Sequence, residues 1–415
     1  MTAHTRWTNL GVAYLALVAA FIPYVGWSPA LSTITEDLGL TYSQAGALSS
    51  ATGLVAGLAL LTGGILSRKW GSKTIVMAGL TAGLMGQLIF AAAESYPTVM
   101  AGRLVSGLAV GFLFVGTFTL AVEWFHEGRQ AGRALGIMMT GDGVGSLVIL
   151  SGLALLLTAF GWRTGLAIQG GVLMAVLVVT ALVAKDVPTA PAEHPTRQPA
   201  AADSGIGSAF RLIRERNVAL AIAYWVGGVG LFALISSWMP TVLAEEAGWS
   251  TSSAGFATSL FAVVGMVAAL SSPYIARRVG GKKRLILMAG TLAAVAVGTL
   301  TLGLATDNYL LSAICIPIAG LGIYAGEPIA LAEAVESGSP SDAGVINGLV
   351  IGVPWIVSGF AYPYVMGAVK DASGSFTGGF WVLTVATVVC CVISPMFIRE
   401  PQPESADAET SEVLA

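Results

Sequence analysis

The chain has 415 residues, of which 10% are charged and 55% are hydrophobic, and its mean hydropathy is +0.80. Soluble domains carry about 25% charged residues, so this composition excludes a water-soluble protein and indicates a polytopic membrane protein. The formal net charge of −3 excludes a strongly basic nucleic-acid binder. The three cysteines lie in apolar runs, so no disulfide framework is implied.

Twelve segments are long and apolar enough to cross a bilayer, which takes about 20 residues of helix. In chain order, the predicted spans 1 to 12 cover residues 9–30, 45–67, 74–93, 98–122, 134–157, 164–184, 218–242, 254–276, 285–304, 309–333, 343–368 and 377–398. The first run has no cleavage site followed by a soluble domain. It is therefore predicted to be a retained span and not a signal peptide.

The distribution of Lys and Arg predicts the orientation of these spans. With the N-terminus inside, seventeen of the 20 basic residues fall on the inner side, and only Arg163 and Lys370 fall in outer loops. Both termini are therefore expected in the cytoplasm, with the chain in the plasma (inner) membrane.

A polar segment divides the spans into two groups of six. Residues 185–216 contain four prolines and five of the inner cations, which predicts a cytoplasmic linker. The predicted domains are an N-terminal six-helix bundle (1–184), this linker, and a C-terminal six-helix bundle (217–399). The acidic tail, 400–415, is predicted to be disordered.

The two halves of the chain repeat one another. Residues 37–46 read DLGLTYSQAG and residues 246–255 read EAGWSTSSAG, so that the acid, the first glycine, a serine and the Ala-Gly pair match at an offset of 209 residues. The offset persists to the next turn, where 68–71 (RKWG) match 277–280 (RRVG). Parallel six-span repeats imply two bundles related by an axis along the membrane normal, with a binding site at their midplane interface.

Over essentially its whole length, the chain resembles the major facilitator superfamily. Residues 64–73 (GILSRKWGSK) are similar to the signature between spans 2 and 3 of that family, but Arg68 and, in the second copy, Arg277 replace its usual Asp. In the family, that Asp is thought to latch the two bundles together. The resemblance therefore implies gating or conformational roles for Gly64, Arg68, Gly71, Arg277 and Gly280.

Two further motifs carry the resemblance. Span 4 contains Arg103-x-x-x-Gly107-x-x-x-Gly111, similar to the R-x-x-x-G-x-x-x-G motif of the family. In span 5, residues 141–146 (GDGVGS) match only part of the G-P-x-x-G-G stretch of proton antiporters. The resemblance implies an all-α membrane protein with twelve transmembrane helices in two pseudo-symmetric six-helix bundles, working by rocker-switch alternating access.

Three ionisable residues lie inside apolar spans, where each costs about 2.5–3.5 kcal/mol at a span centre and is a functional candidate. Arg103 in span 4 could bind a substrate anion, or it could hold carbonyl groups of a neighbouring helix. Asp142 in span 5 could carry a coupling proton, or it could form a fixed salt bridge. Glu327, which precedes Pro328 in span 10, could also carry a proton, or it could be a hydrated acid near the inner mouth.

All three histidines lie outside the spans, so any proton coupling is expected to use carboxylates. No cluster has metal-ligand spacing, and neither a metal nor another cofactor is expected. Sodium coupling stays open, since carboxylates and freed carbonyls can coordinate this ion. Further predicted substrate-binding residues are aromatic or polar side chains of probable cavity helices: Tyr24, Trp27, Tyr224, Trp225, Ser236, Trp238, Tyr324, Asn347 and Trp355.

The leading hypothesis is a secondary active transporter, proton-coupled by symport, for a small organic anion such as a monocarboxylate. The alternative is a proton-coupled exporter of drugs or amphipathic metabolites. A membrane sensor or intramembrane enzyme would need a signalling domain or a catalytic cluster, and neither is recognisable. The expected partners are a small-molecule substrate, a proton and membrane lipid, with no nucleic acid, and the chain is expected to act as a monomer.

Overall fold

The computed structural model describes residues 3–125, 131–185, 211–339 and 342–399. In these ranges, twelve helices are long and apolar enough to cross a membrane, which confirms all twelve predicted spans. Numbered like the spans, they are α1 Thr5–Leu38, α2 Tyr42–Ser67, α3 Ser72–Ala91, α4 Tyr96–Phe125, α5 Arg133–Phe160, α6 Trp162–Val183, α7 Arg216–Glu245, α8 Thr251–Arg278, α9 Lys282–Ala305, α10 Tyr309–Glu336, α11 Val345–Ser373 and α12 Thr377–Met396. The largest difference is at the end of α1, which extends eight residues beyond the predicted span.

The first helix is broken within the membrane. A regular segment, Ala3–Ala19, is followed by the short helix Phe21–Val25, the 3-10 turn Ser28–Ala30 and the final segment Leu31–Leu38. Pro23 lies in the short helix and has no N–H to donate, which weakens helical hydrogen bonding there. Backbone carbonyl oxygens at this break need donors from elsewhere, because lipid supplies none.

The turns confirm that the sequence repeat is a structural one. Gly39 and Gly248, 209 residues apart, adopt φ of 60° and 68°. Gly71 and Gly280, at the same offset, adopt φ of 84° and 89°. Side chains with a Cβ rarely adopt these angles, so glycine is required at equivalent points of both halves.

The helix starts after the first pair of turns are also equivalent. Thr41 Oγ1 accepts a hydrogen bond from the amide of Gln44 (3.1 Å), and Ser250 Oγ accepts one from the amide of Ser253 (3.2 Å). These N-caps begin α2 and α8, which are repeat mates. The hydroxyl residues of the repeat therefore fix where each helix starts.

Two helix pairs form the most extensive contacts between the bundles: α2 packs along α11, and α5 packs along α8. The backbones approach closely, since a Cβ at Gly53 of α2 would overlap the backbone of Gly359 in α11. A Cβ at Gly255 of α8 would likewise overlap the carbonyl of Leu150 in α5. Small residues allow such approach in a bilayer, where dispersion contacts drive helix association.

The bundles diverge toward one end of the molecule. A Cβ at Gly352 of α11 would lie 2.6 Å from the Leu61 side chain of α2, but one at Gly348, one turn further along α11, would meet nothing within 4 Å. We call the tightly packed end, with the turns at 39–41, 246–250 and 374–376, the closed end. The end with the turns at Gly71 and Gly280 is the open end.

Parts of the predicted domain organisation lie outside the described residues, namely 186–210 of the linker and the tail 400–415. Of the two helices that flank the linker, α6 ends at Val183 and α7 begins at Arg216. The proposed limits at 184 and 217 stay predictions.

The turn glycines provide a test of the backbone argument. A Cβ at Gly39 or Gly248 would meet nothing within 4 Å, so alanine there introduces only backbone strain. Gly39→Ala and Gly248→Ala should each destabilise the protein by about 1–2 kcal/mol. The control is Gly11→Ala in helical α1, where a Cβ is also uncrowded and φ is not in the positive range. Thermal unfolding in detergent measures the difference, and equal midpoints for Gly39→Ala and Gly11→Ala would contradict it.

Candidate functional site

An arginine from α4 holds the break in α1. Arg103 is 1% exposed, and its guanidinium donates hydrogen bonds to the carbonyl oxygens of Pro23 (2.6 Å) and Tyr24 (3.1 Å). The guanidinium carbon also lies 4.7 Å from the ring centroid of Trp27, a cation–π contact. The side chain thus supplies the donors that the broken backbone requires.

A glutamine holds the same segment from another side. Gln169 of α6 donates from Nε2 to the carbonyl oxygen of Gly26 (3.0 Å), and its Oε1 accepts a hydrogen bond from Nε2 of Gln87 in α3 (2.6 Å). Both glutamines are at most 1% exposed. The sequence analysis did not identify these two glutamines as candidates. A polar amide side chain inside an apolar span is the signal that could have identified them. We call Arg103, Gln169 and Gln87 the α1 brace.

The contacts of the Arg103 side chain are with Pro23, Tyr24 and Trp27 of α1, all within the N-terminal bundle. Its Nε atom is buried and has no hydrogen-bond partner among the described residues. This geometry matches the structural alternative considered for Arg103, in which it holds carbonyl groups of a neighbouring helix. Its predicted contact with substrate stays a prediction.

Aromatic rings from both bundles meet beside the break. Tyr24 lies 5.7 Å from Phe232 and 5.2 Å from Trp355, measured between ring centroids. Phe114 lies 5.9 Å from Trp355. Since Tyr24 and Phe114 belong to the N-terminal bundle and Phe232 and Trp355 to the C-terminal one, these ring contacts cross the bundle interface.

The ring contacts continue into the C-terminal bundle, from Phe232 to Phe261 (6.2 Å) and on to Tyr324 (5.9 Å). We call the whole group the aromatic cluster; its members are Phe21, Tyr24, Phe114, Phe232, Phe261, Tyr324 and Trp355. The structure therefore brings together three predicted residues, Tyr24, Tyr324 and Trp355. The phenylalanines were missed, although Phe21 and Phe232 match at an offset of 211 residues, like Trp27 and Trp238.

Two acidic side chains lie at this cluster. The hydroxyl of Tyr324 in α10 donates to Oδ2 of Asp142 in α5 over 3.4 Å, which links the two bundles. Glu327 lies one helical turn from Tyr324 and is 8% exposed. Among the described residues, neither carboxylate has an ion-pair partner. The fixed salt bridge considered for Asp142 is therefore not formed with any of them in this state.

Helix α7 covers the Glu327 side chain. A Cβ at Gly228 would overlap Glu327 Oε1, so glycine leaves the space that the carboxylate occupies. Trp225 donates from Nε1 to the backbone carbonyl of Glu327 (3.0 Å). The hydroxyl of Tyr224, also in α7, is buried against Gly326 and has no hydrogen-bond partner among the described residues.

Other predicted substrate-binding residues lie away from the aromatic cluster. Ser236 contributes its backbone carbonyl, which accepts a hydrogen bond from Ser28 Oγ (2.9 Å). Trp238 packs at the closed end against Phe376, with ring centroids 5.7 Å apart. Asn347 is exposed where α11 diverges from α2. Trp27 packs against Arg103 in the α1 brace.

The predicted gating residues lie at the open end. A Cβ at Gly64 would meet only Val115 of the same bundle, at 3.8 Å, and Arg277 donates from Nε to the Pro273 carbonyl of its own helix (3.4 Å). Gly71 and Gly280 form the turns described above. The side chain of Arg68 lies outside the described part of the structure. The gating roles of these residues stay predictions.

Residues 13–361 match the family model of the Major Facilitator Superfamily. The chain belongs to this superfamily, and it is a membrane transporter of small solutes and not an enzyme.

Two relatives and one solved structure show the range of similar proteins. The probable nitrate/nitrite transporter NarK2 of Mycobacterium tuberculosis (strain ATCC 25618 / H37Rv) is 23% identical over 406 residues, covering 94% of this chain and 97% of the relative. Monocarboxylate transporter 11 of Mus musculus is 27% identical over 329 residues, covering 77% and 71%. A bacterial homologue of the human lysosomal transporter Spinster, solved in an inward-facing and unoccupied conformation, has a TM-score of 0.76 at 15% identity, covering 96% and 97%. That likeness shows the fold.

The α1 brace predicts a coupled effect of two substitutions. Gln169→Leu leaves the Gly26 carbonyl and the Gln87 amide unpaired in a buried place, which should destabilise the protein by about 1–3 kcal/mol. Gln87→Leu should cost less, because Gln169 keeps its bond to Gly26. The double variant should be less destabilised than the sum of the two single variants. Thermal unfolding of all four proteins measures the coupling, and strict additivity would contradict the proposed network.

Proposed function

We propose that this transporter moves a small organic anion, such as a monocarboxylate, together with a proton. Transport occurs by alternating access, with the bundles 1–184 and 217–399 rocking about the aromatic cluster. Asp142 and Glu327 carry the proton, and Tyr24, Tyr324, Trp225 and Trp355 contact the substrate. Arg103 acts mainly by positioning α1.

The proposed orientation has the open end and both termini in the cytoplasm of a cell whose plasma membrane holds the protein. Among the described residues, most of the Lys and Arg side chains that flank the spans lie at the open end, as is typical of cytoplasmic loops. The two cations of the closed end are both paired, Arg163 with Asp37 and Lys370 with Glu246. In this orientation the described conformation is open to the inside.

The hydrogen bond between Tyr324 and Asp142 carries the proposal of proton coupling. An ionised carboxylate in a membrane protein is costly without a cation partner, and proton uptake removes that cost. Protonation also converts the carboxyl group from a pure acceptor into a donor. Because Tyr324 and Asp142 lie on opposite bundles, a change in this carboxyl group acts directly on the contact between them.

Recognition of an anion at this site requires donors other than a free cation. Arg103 is the only Lys or Arg within the predicted spans, and its guanidinium is bonded to α1. The available donors are the tyrosine hydroxyls and a protonated Asp142 or Glu327; among the former, the Tyr224 hydroxyl has no partner in the described part of the chain. An anion held by a protonated carboxyl group binds only together with its proton. The names of NarK2 and monocarboxylate transporter 11 support a small anion as cargo.

A second candidate function is the export of amphipathic cations in exchange for protons. Two observations favour it. Asp142 and Glu327 have no ion-pair partner among the described residues, and such acids attract positive charge. The aromatic cluster lies beside them, and aromatic faces bind cations. The two functions differ in the charge of the ligand that stabilises the protein.

Ligand-induced thermal stabilisation separates these candidates. Short-chain monocarboxylates should raise the unfolding temperature more at acidic than at neutral pH, with about 2.7 kcal/mol of stabilisation at a hundredfold excess over Kd. In Asp142→Asn, which keeps a neutral donor at this position, the stabilisation should persist with a weaker pH dependence. The matched control is Glu94→Gln, an exposed acid of the α3–α4 turn. Stabilisation by lipophilic cations alone would replace the anion proposal with the exporter.

Transport by the same variant in proteoliposomes tests coupling separately from binding. Asp142→Asn should lose at least tenfold in accumulation driven by a pH gradient, because the carboxamide cannot exchange a proton. It should retain exchange of labelled for unlabelled monocarboxylate, which needs no net proton movement. Glu94→Gln should behave as the wild type in both assays. Undiminished gradient-driven accumulation by Asp142→Asn would assign the proton to another group.

A further inference from the structure

A contact between the bundles at the closed end lies apart from the candidate site. Asp371, at the end of α11, accepts hydrogen bonds from the first residues of α2 in the opposite bundle. Its Oδ1 accepts from the amide of Tyr42 (2.9 Å), and its Oδ2 accepts from the amide and the hydroxyl of Ser43 (2.7 and 2.5 Å). One carboxylate therefore binds three donors across the bundle interface.

This carboxylate completes the N-terminus of α2. The hydroxyl of Thr41 already caps the amide of Gln44, so the amides of Tyr42 and Ser43 are the next two free donors of the helix. A negative charge at a helix N-terminus is favourable, and hydrogen bonds to a charged acceptor are stronger than neutral ones. Within the described residues, α2 thus obtains these two cap bonds from the other bundle.

Neighbouring contacts enclose the same point. The hydroxyl of Tyr42 donates to Glu245 Oε2 at the end of α7 (2.8 Å). Lys370 lies beside Asp371 and pairs with Glu246 Oε1 (3.2 Å), while its Nζ is 4.0 Å from the ring centroid of Phe376. The start of α2 is therefore held between α7 and α11.

We propose that Asp371 is a latch that holds the closed end shut. Separation of α2 from α11 at this end must break all three hydrogen bonds of the carboxylate together and leave two helix amides uncapped. The charge and acceptor geometry of Asp371 thereby set the equilibrium between two conformations. In one the closed end is shut, and in the other this end has opened. The latch is independent of which substrate is carried.

Spin-label distances between the bundles test the latch. Labels at Thr33→Cys in α1 and Ala305→Cys in α9, both exposed at the closed end, report its opening in a background with the three native cysteines replaced by alanine. In Asp371→Asn, one carboxylate oxygen becomes an amide donor that faces either the Tyr42 amide or the Ser43 donors. The substitution should raise the ratio of open to closed distances about tenfold or more. The matched control is Asp307→Asn, an acid at the same end that bonds Tyr309 of its own bundle.

Equal distance distributions for Asp371→Asn and the wild type would overturn the proposal, as would an equal shift caused by Asp307→Asn. If Asp371→Asn does not fold, Ser43→Ala removes only one of the three bonds and should shift the ratio in the same direction by a smaller amount. No shift in Ser43→Ala would then overturn the latch. These outcomes leave the proposed substrate and proton coupling unaffected, because they are measured without substrate or a pH gradient.

Discussion

Inside a bilayer, a carbonyl oxygen without a donor costs several kcal/mol, and the break in α1 creates this problem in a buried part of the first span. The α1 brace solves it with buried side chains from three other helices of the same bundle. Arg103 holds the carbonyls of Pro23 and Tyr24, and Gln169 holds that of Gly26. The break can therefore persist without water, and it directs the Tyr24 ring toward the opposite bundle.

The candidate site depends on this arrangement. With α1 fixed, Tyr24 contacts Phe232 and Trp355, so the aromatic cluster spans the bundle interface next to Asp142. Toward the open end the bundles diverge. Toward the closed end, glycines and the Asp371 contacts bring α2 and α11 together. In the proposed mechanism, a proton or a ligand at the cluster acts at the level where two closely packed bundles begin to separate. A small change there is suited to control a rocking motion, because packed interfaces have discrete arrangements.

The fold was predictable from the sequence because its signals are local. Span length and hydropathy gave twelve helices, and the 209-residue offset identified turns whose glycines do adopt positive φ in both halves. Local signals also identified four site candidates. Asp142 and Glu327 are ionisable groups in apolar spans, and Tyr24 and Tyr324 are tyrosines on probable cavity helices.

The partners of these residues were not predictable, because they depend on how distant helices pack. The hydrogen bonds of Arg103 to α1 depend on where that helix breaks, which a span-level pattern does not locate. Gln87 and Gln169 matter only because they face that break. Phe232 and Phe261 look like ordinary core residues until both bundles are assembled, and Asp371 looks like a loop acid 329 residues from its partner Tyr42.

The most direct test of the proposed function is proton movement that accompanies substrate movement in the wild-type protein. A pH-sensitive dye trapped in proteoliposomes, with a labelled monocarboxylate added outside, reports both fluxes above the rates in protein-free vesicles. We expect the interior to acidify in proportion to the substrate taken up, with no requirement for sodium. Protein-dependent uptake of the same monocarboxylate without proton movement would contradict proton coupling through Asp142 and Glu327.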